Sequence, residues 1–189
     1  MKTARMVSAS AVRRPRRFMP RRDDDMMRLG LALAAAVVIL DQASKVWLIS
    51  WLESQGGWLQ ISGFFNLVMV WNRGISFGML QSGETGRWLL AIFSALVCLG
   101  LGIWLQRQTH RVPTLALGAV IGGAIGNIID RVWRGAVADF FDFHLIGYHW
   151  PAFNVADSAI TIGVAMLLYD SFRPAVGNEA ANGNRSKDR

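Results

Sequence analysis

Residues 88–129 read WLLAIFSALVCLGLGIWL-QRQTHR-VPTLALGAVIGGAIGNII. Two uncharged runs of 18 residues flank a short loop that carries Arg107 and Arg111. As helices rising 1.5 Å per residue, runs of that length reach about 27 Å, close to the ~30 Å of a bilayer's hydrocarbon core. Barrel strands would be shorter and would alternate in polarity, and only helices or closed barrels satisfy the backbone in lipid. The stretch therefore reads as a pair of antiparallel membrane helices. Working outward, residues 29–51 form a third apolar run, charged only at Asp41 and Lys45. Residues 152–172 form a fourth, with Asn154 and Asp157 near its start and Asp170 near its end. The expected fold class is an all-α polytopic membrane protein with four transmembrane helices, near 29–51, 88–105, 112–129 and 152–172.

Composition agrees. Of 189 residues, 52% are apolar and only 17% charged, against about 25% charged in soluble proteins. Mean hydropathy is +0.29 and the isoelectric point about 10.7. A net charge of +7 would suit a nucleic-acid binder, but the basic residues sit in tails and loops beside apolar runs, so no nucleic-acid partner is expected. Residues 1–28 hold nine Lys and Arg, the 106–111 loop two, and the tail from Arg173 four. With four crossings, these fifteen fall on one side. The opposite loops, 52–87 and 130–151, hold only Arg73, Arg87, Arg131 and Arg134. The positive-inside rule then puts both termini in the cytoplasm and both longer loops outside. The first apolar run is too long for a secretory h-region and carries an Asp and a Lys, which argues against a cleaved signal. The segments 1–28 and 173–189 read as disordered cytoplasmic tails around a 29–172 membrane domain. The lone Cys98 rules out an internal disulfide and reads as a packed thiol.

Ile61–Trp71 is rich in Phe, Val, Ile and Leu and reads as a strand. Asn72-Arg73-Gly74 supplies turn residues, and Ile75–Leu80 reads as a second strand. A small extracytoplasmic β-element over about 61–80 is expected on the membrane surface, with Phe64, Phe65 and Trp71 at the interface.

The polar residues gather at one end. Asp41 and Lys45 share a helix face at i,i+4 and read as a mutually neutralising pair, because an unpaired charge in mid-membrane costs roughly 2.5–3.5 kcal/mol. Gly118, Gly122 and Gly126 form a small-residue stripe for close helix packing, which leads outward into Asn127, Asp130 and Arg131. Asn154, Asp157, Ser158 and Thr161 fall on one face of the last helix. Four outer carboxylates, Asp130, Asp139, Asp142 and Asp157, can thus converge near one membrane boundary. Two close carboxyls share a proton, so that one draws a proton from water while the other polarises a carbonyl. That is aspartic-peptidase chemistry, and spacing does not say which two residues perform it. No HExxH motif exists, and His144 and His149 are five apart, so no metal site is expected. A Ser76/Lys45 dyad has no sequence signal behind it. A proton-coupled transporter is the rival reading, opposed by the clustering of the polar groups at one end.

Five segments in order carry a resemblance. They are Asp41-Gln-Ala-Ser-Lys45, Asn72-Arg-Gly-Ile-Ser-Phe77, Gly122-Gly-Ala-Ile-Gly-Asn127-Ile-Ile-Asp130-Arg131, Val137-Ala-Asp139-Phe140 and Phe153-Asn154-Val-Ala156-Asp157. Together, over about residues 29–172, they make the chain similar to the lipoprotein signal peptidases, the type II signal peptidases of bacteria. The resemblance implies that Asp139 and Asp157 are the catalytic dyad. It implies that Asp41, Lys45, Asn72, Gly74, Asn127, Asp130, Arg131 and Asn154 shape the site or bind substrate. It further implies an outer β-cradle, a site at the periplasmic face of the inner membrane, no metal or other cofactor, and substrates that are prolipoproteins bearing a diacylglyceryl cysteine, cut just before it. Membrane lipids and globomycin-type cyclic peptides are the other implied partners. Ser76 stands where the family usually has Ala, the basic N-terminal extension is longer than usual, and residues 144–152 match no motif.

Overall fold

In the computed structural model, which describes residues 22–74 and 83–172, four helices carry a small sheet at one end. The elements are α1 (Arg22–Ser54), β1 (Trp58–Gln60), β2 (Phe65–Asn72), α2 (Gly83–Leu105), α3 (Arg111–Trp133), β3 (Val137–Leu145), β4 (Tyr148–His149) and α4 (Val155–Ser171). Three of the helices are long and apolar enough to cross a membrane, over Asp24–Ser54, Glu84–Leu105 and Arg111–Trp133. At 17 residues, α4 is shorter. The helices turn apolar side chains outward. Ile39, Leu40, Val46 and Trp47 of α1 and Ile92, Phe93, Leu96 and Leu99 of α2 are all more than half exposed.

At the centre stands α3, packed against α1, α2 and α4. Two-thirds (67%) of its apolar window is buried, against 28% for α1 and 17% for α2. The glycine stripe explains how neighbours come so close. A Cβ at Gly118 would lie 2.5 Å from the Gly30 carbonyl oxygen of α1, and one at Gly122 would lie 2.6 Å from that of Ala34. On the other flank, Gly163 of α4 sits against Ala116 of α3, where a Cβ would lie 2.6 Å from the carbonyl oxygen. Ala34, Leu105, Leu117 and Ile121 fill the core between α1, α2 and α3.

The sheet is antiparallel in the order β1-β2-β3-β4. Phe140 is fully buried and packs with Leu48 and Leu52 of α1, which seats the sheet on the end of that helix. Between Leu67 and Val70 the β2–β3 register slips by one residue. Leu67 faces Phe141, but Val70 faces Asp139 and Asn72 faces Val137. Side chains alternate across a strand, so a one-residue slip exchanges its faces. Without the bulge Asn72 would point away from Asp139; with it, the two share a face.

Several boundaries differ from the sequence reading. Helix α1 starts at Arg22, inside the expected disordered tail of 1–28. Asp24 and Asp25 lie in its first turn, where acidic residues suit the helix dipole. An apolar-run criterion finds the hydrocarbon-length part of a helix and misses its polar ends. For the same reason α2 and α3 run past 88–105 and 112–129. Helix α4 begins at Val155 rather than 152, because residues 150–153 are tied to β3: Phe153 exchanges backbone hydrogen bonds with Phe141, and Trp150 N–H donates to the Phe143 carbonyl. The β-element starts at Trp58, and the partner of β2 is β3 from the segment between α3 and α4, a long-range pairing that local pattern does not reveal. The expected strand 75–80, Ser76 and the remainder of both tails lie outside the described residues.

The glycine contacts give a test. Gly122→Ala should cost about 1–3 kcal/mol of overpacking strain, read as a lower melting temperature in detergent and less protein in the membrane. Gly102→Ala, whose Cβ would meet nothing within 4 Å, should leave both unchanged.

Candidate active site

Asp139 lies on β3 with 1% exposure. Two side-chain amides hold it: Asn72 Nδ2 donates to Oδ2 at 3.0 Å and Asn154 Nδ2 donates to Oδ1 at 2.7 Å. Burial and then the negative charge of Asp157 push its carboxyl up to about 7. Asp157 lies in the first turn of α4. Asn127 Nδ2 of α3 donates to its Oδ1 at 2.8 Å. Asn154 and Asp157 also form a reciprocal capping box, in which Asn154 Oδ1 accepts the Asp157 N–H at 2.9 Å and Asp157 Oδ2 accepts the Asn154 N–H at 3.3 Å. One side chain, Asn154, therefore both starts α4 and orients Asp139.

Both aspartates line one cavity of about 850 Å³, together with Asn72, Gly74, Arg131 and Thr161. Its lining also includes Ile160 and Ile162 of α4 and Tyr148 and Trp150 of the β4 region. Ile162 is 59% exposed, so the cavity combines carboxylates with apolar helix surface.

Beneath the cavity lies an ion network whose centre, Lys45 with Asp41 and Asp130, is fully buried. Lys45 Nζ is 2.8 Å from Asp41 Oδ2 and 2.8 Å from Asp130 Oδ2, and it donates to Asn127 Oδ1 at 3.2 Å. Arg134 pairs with Asp130 Oδ1. Gln42 Nε2 donates to Asp41, Asp130 and the Gly126 carbonyl, and Gln42 Oε1 accepts from Arg134. A Cβ at Gly126 would lie 2.5 Å from Asp41 Oδ2, so the last residue of the glycine stripe makes room for a carboxylate.

The sequence-derived residues thus separate into two layers. Asp139, Asp157, Asn72, Gly74 and Arg131 line the cavity, while Asp41, Lys45, Asn127, Asp130 and Asn154 hold it from behind. Of the four candidate carboxylates, Asp130 is engaged by Lys45 and Arg134, and Asp142 lies apart. Asn66 Nδ2 donates to Asp142 Oδ2 at 2.8 Å, and His149 Nδ1 is 2.9 Å from both of its oxygens. Burial works to raise the Asp142 carboxyl, but those hydrogen bonds and the two imidazoles outweigh it and leave the group below its ordinary range. The Lys45 ammonium is engaged by Asp41, Asp130 and Asn127. Sequence reading passed over Gln42, Arg134 and the wall residues Tyr148 and Trp150. Position i+4 from Asp130 was a signal for Arg134; nothing local marked the others.

A sequence profile described as signal peptidase (SPase) II matches residues 33–173. The chain belongs to the signal peptidase II family. It is a membrane protein and an aspartic-type signal peptidase. It is 46% identical over 158 residues to the lipoprotein signal peptidase of Rhodopseudomonas palustris strain TIE-1, covering 79% of this chain and 96% of that one. It is 47% identical over 146 residues to the lipoprotein signal peptidase of Caulobacter vibrioides, covering 76% and 86%. Among solved structures it is similar to a bacterial membrane enzyme determined by the in meso method at 2.3 Å resolution. The TM-score is 0.65 at 29% identity, over 80% of this chain and 94% of that one.

The double role of Asn154 can be separated. Asn154→Ser keeps a capping oxygen but removes the amide donor to Asp139 without placing a charge beside two carboxylates. It should fold yet lose turnover. Asn154→Ala loses the cap as well and should be the less stable of the two by about 0.5–2 kcal/mol, measured by thermal denaturation in detergent alongside peptide cleavage.

Proposed function

We propose that Asp139 and Asp157 are the catalytic pair of an endopeptidase that removes the signal peptide from diacylglyceryl-modified prolipoproteins, cutting before the lipidated cysteine. The observation that carries this reading is that one cavity is lined both by the two carboxylates and by apolar side chains, Ile160 and the exposed Ile162 among them. A substrate with a peptide bond near a diacylglyceryl group has the same polarity pattern. The names of the curated relatives support the prolipoprotein substrate, and globomycin-type cyclic peptides would compete for the same cavity.

The chemistry follows from the two environments. Asp139, raised to about 7 by burial and by its neighbour's charge, supplies the proton of the pair when protonated, and Asp157 acts as the base. Water between them loses a proton to Asp157 as its oxygen bonds to the scissile carbonyl carbon, while Asp139 donates a hydrogen bond to the carbonyl oxygen. As the tetrahedral intermediate collapses, the C–N bond breaks, the leaving amine takes a proton from the pair and the new carboxyl group departs. No step requires a metal or other cofactor.

Four crossings are part of the proposal. Although short, α4 packs along α3 and exposes Ile162, Leu168, Tyr169 and Phe172, as a lipid-facing helix would. Four crossings and the fifteen-to-four division of basic residues put both termini in the cytoplasm and the site at the periplasmic face of a bacterial inner membrane. A topology reporter inserted near Ser82 should read outside and one after Arg107 inside; the reverse pattern would exclude a periplasmic site.

Cleavage of a lipidated precursor tests the pair. Asp139→Asn and Asp157→Asn should each lower turnover by roughly 10²–10⁴-fold, with the double variant little worse, because residues acting as a unit are not additive. Asp142→Asn should be far milder. Chelators and serine-directed acylating agents should leave activity intact. The alkaline limb of kcat/KM should have an apparent pKa near 7, belonging to the pair, since raising pH through that value removes the proton the reaction needs. Near-normal cleavage by either single variant would rule out the pair and move attention to Asp130.

A further inference from the structure

The structure assigns Lys45 a positioning role that reaches both proposed catalytic aspartates through the backbone: it ties together the two carboxylates that hold the residues just before them. Asp130 Oδ2 accepts the backbone N–H of Ala138 at 3.2 Å, one residue ahead of Asp139. Asp41 Oδ1 accepts the backbone N–H of Ala156 at 3.0 Å, one residue ahead of Asp157. Lys45 Nζ stands 2.8 Å from each of these carboxylates. The two peptide units that carry the proposed pair are thus fixed, in matching fashion, to one ammonium group.

The same group sets a third tie. Its donation to Asn127 Oδ1 fixes which way that amide points, and so presents the Asn127 NH₂ to Asp157. Asn154 Nδ2 also donates to Asn127 Oδ1, at 3.3 Å. All of these groups are buried: Lys45, Asp41, Asp130 and Asn154 have 0% exposure and Asn127 7%. Both alanines are fully buried as well, so neither N–H has water as an alternative partner.

A single neutralising pair would need only Asp41 and Lys45, which already neighbour each other on one helix. Here the ammonium bridges α1 to α3, and the two carboxylates reach onward to β3 and α4. Asp130 has Arg134 as a further cation, so charge balance alone does not require Lys45 to touch it. The geometry is what the ammonium adds: a compact donor that meets two carboxylates and one amide oxygen at once. An arginine, with a planar fork, keeps the charge but cannot reproduce that convergence. The inference rests on the Asp139/Asp157 assignment and specifies what sets their relative position.

The test uses full-length, membrane-extracted protein, with turnover normalised to the monodisperse folded fraction. Lys45→Arg conserves the charge and should accumulate. It should lose about tenfold or more in kcat, because a displacement of ~1 Å at a reacting group can cost up to 10²-fold, while KM changes much less. Its alkaline limb should move to lower pH, as Asp139 moves out of the field of Asp157; Arg131, which faces the same cavity, is present in both proteins. Lys45→Met should show the same loss of kcat in whatever folded fraction it yields; its pH profile is not comparable, because the ammonium that lowers Asp139 is gone. A purely structural role would lower the amount of folded protein and leave its kcat and pH profile as in the parent, and that result in Lys45→Arg would overturn the inference. Asp139→Asn, run in parallel, separates the two levels. If it cleaves normally the assigned pair is wrong; if it is inactive while Lys45→Arg keeps the parental profile, only the positioning role fails.

Discussion

A lysine ammonium inside an apolar helix has to be matched by negative charge, and in this protein the match organises everything around it. Lys45 has no solvent exposure, and neither do Asp41 and Asp130, the carboxylates it touches. Removing one member of a buried ion pair typically costs 3–5 kcal/mol, since it leaves the other charge uncompensated. To meet the requirement, α1 and α3 must lie close enough for side chains of both to converge on one nitrogen. The glycine stripe of α3 is the means. Gly118, Gly122 and Gly126 bring the helix backbones together, and Gly126 leaves the volume that Asp41 occupies. Tight packing and buried charge are therefore one constraint, not two.

From that junction the rest of the site is placed by short chains of hydrogen bonds. Asp41 keeps Oδ1 for the Ala156 N–H of α4 while Lys45 and Gln42 meet its Oδ2, and Asp130 Oδ2 takes both Lys45 and the Ala138 N–H of β3. Asn154 closes the assembly. It caps α4 and donates to Asp139, so the helix that carries Asp157 and the strand that carries Asp139 share one residue. The β2 bulge adds the last donor by turning Asn72 to the face of Asp139. Three asparagines from three elements thus orient two carboxylates, each offering a fixed amide rather than a mobile water.

The two carboxylates are not equivalent in this setting. Asp139 sits on a strand whose other face is sealed by Phe140 against α1, and it is almost fully buried. Asp157 is half-buried at a helix start. Burial and a neighbouring negative charge act together on Asp139 and raise it to about 7, the range in which a carboxyl group can give and take a proton at neutral pH. The other carboxylate of that strand, Asp142, goes the opposite way because amide and imidazole partners favour its charged form. Position on one short strand, three residues apart, is enough to raise one carboxyl and lower the other.

Residue order alone determined the helical membrane character, the central glycine stripe and the pairing of Asp41 with Lys45, because these depend on run length and on i,i+4 spacing within one helix. It also limited the candidate chemistry to a few outer aspartates. Through an ordered set of motifs it further singled out Asp139 and Asp157, although each motif alone says little. The tertiary structure decided what local spacing cannot express. It showed that β2 pairs with a strand 65 or more residues away along the chain, that a one-residue bulge aims Asn72, and that Gln42 and Arg134 complete the ion network. It also separated the four outer carboxylates, drawing Asp130 to Lys45 and Arg134 and Asp142 to Asn66 and His149, so that Asp139 and Asp157 alone of the four line the cavity. These outcomes depend on contacts between distant segments, whose distances are set by the packing of α3 against its neighbours and not by any periodicity in the sequence.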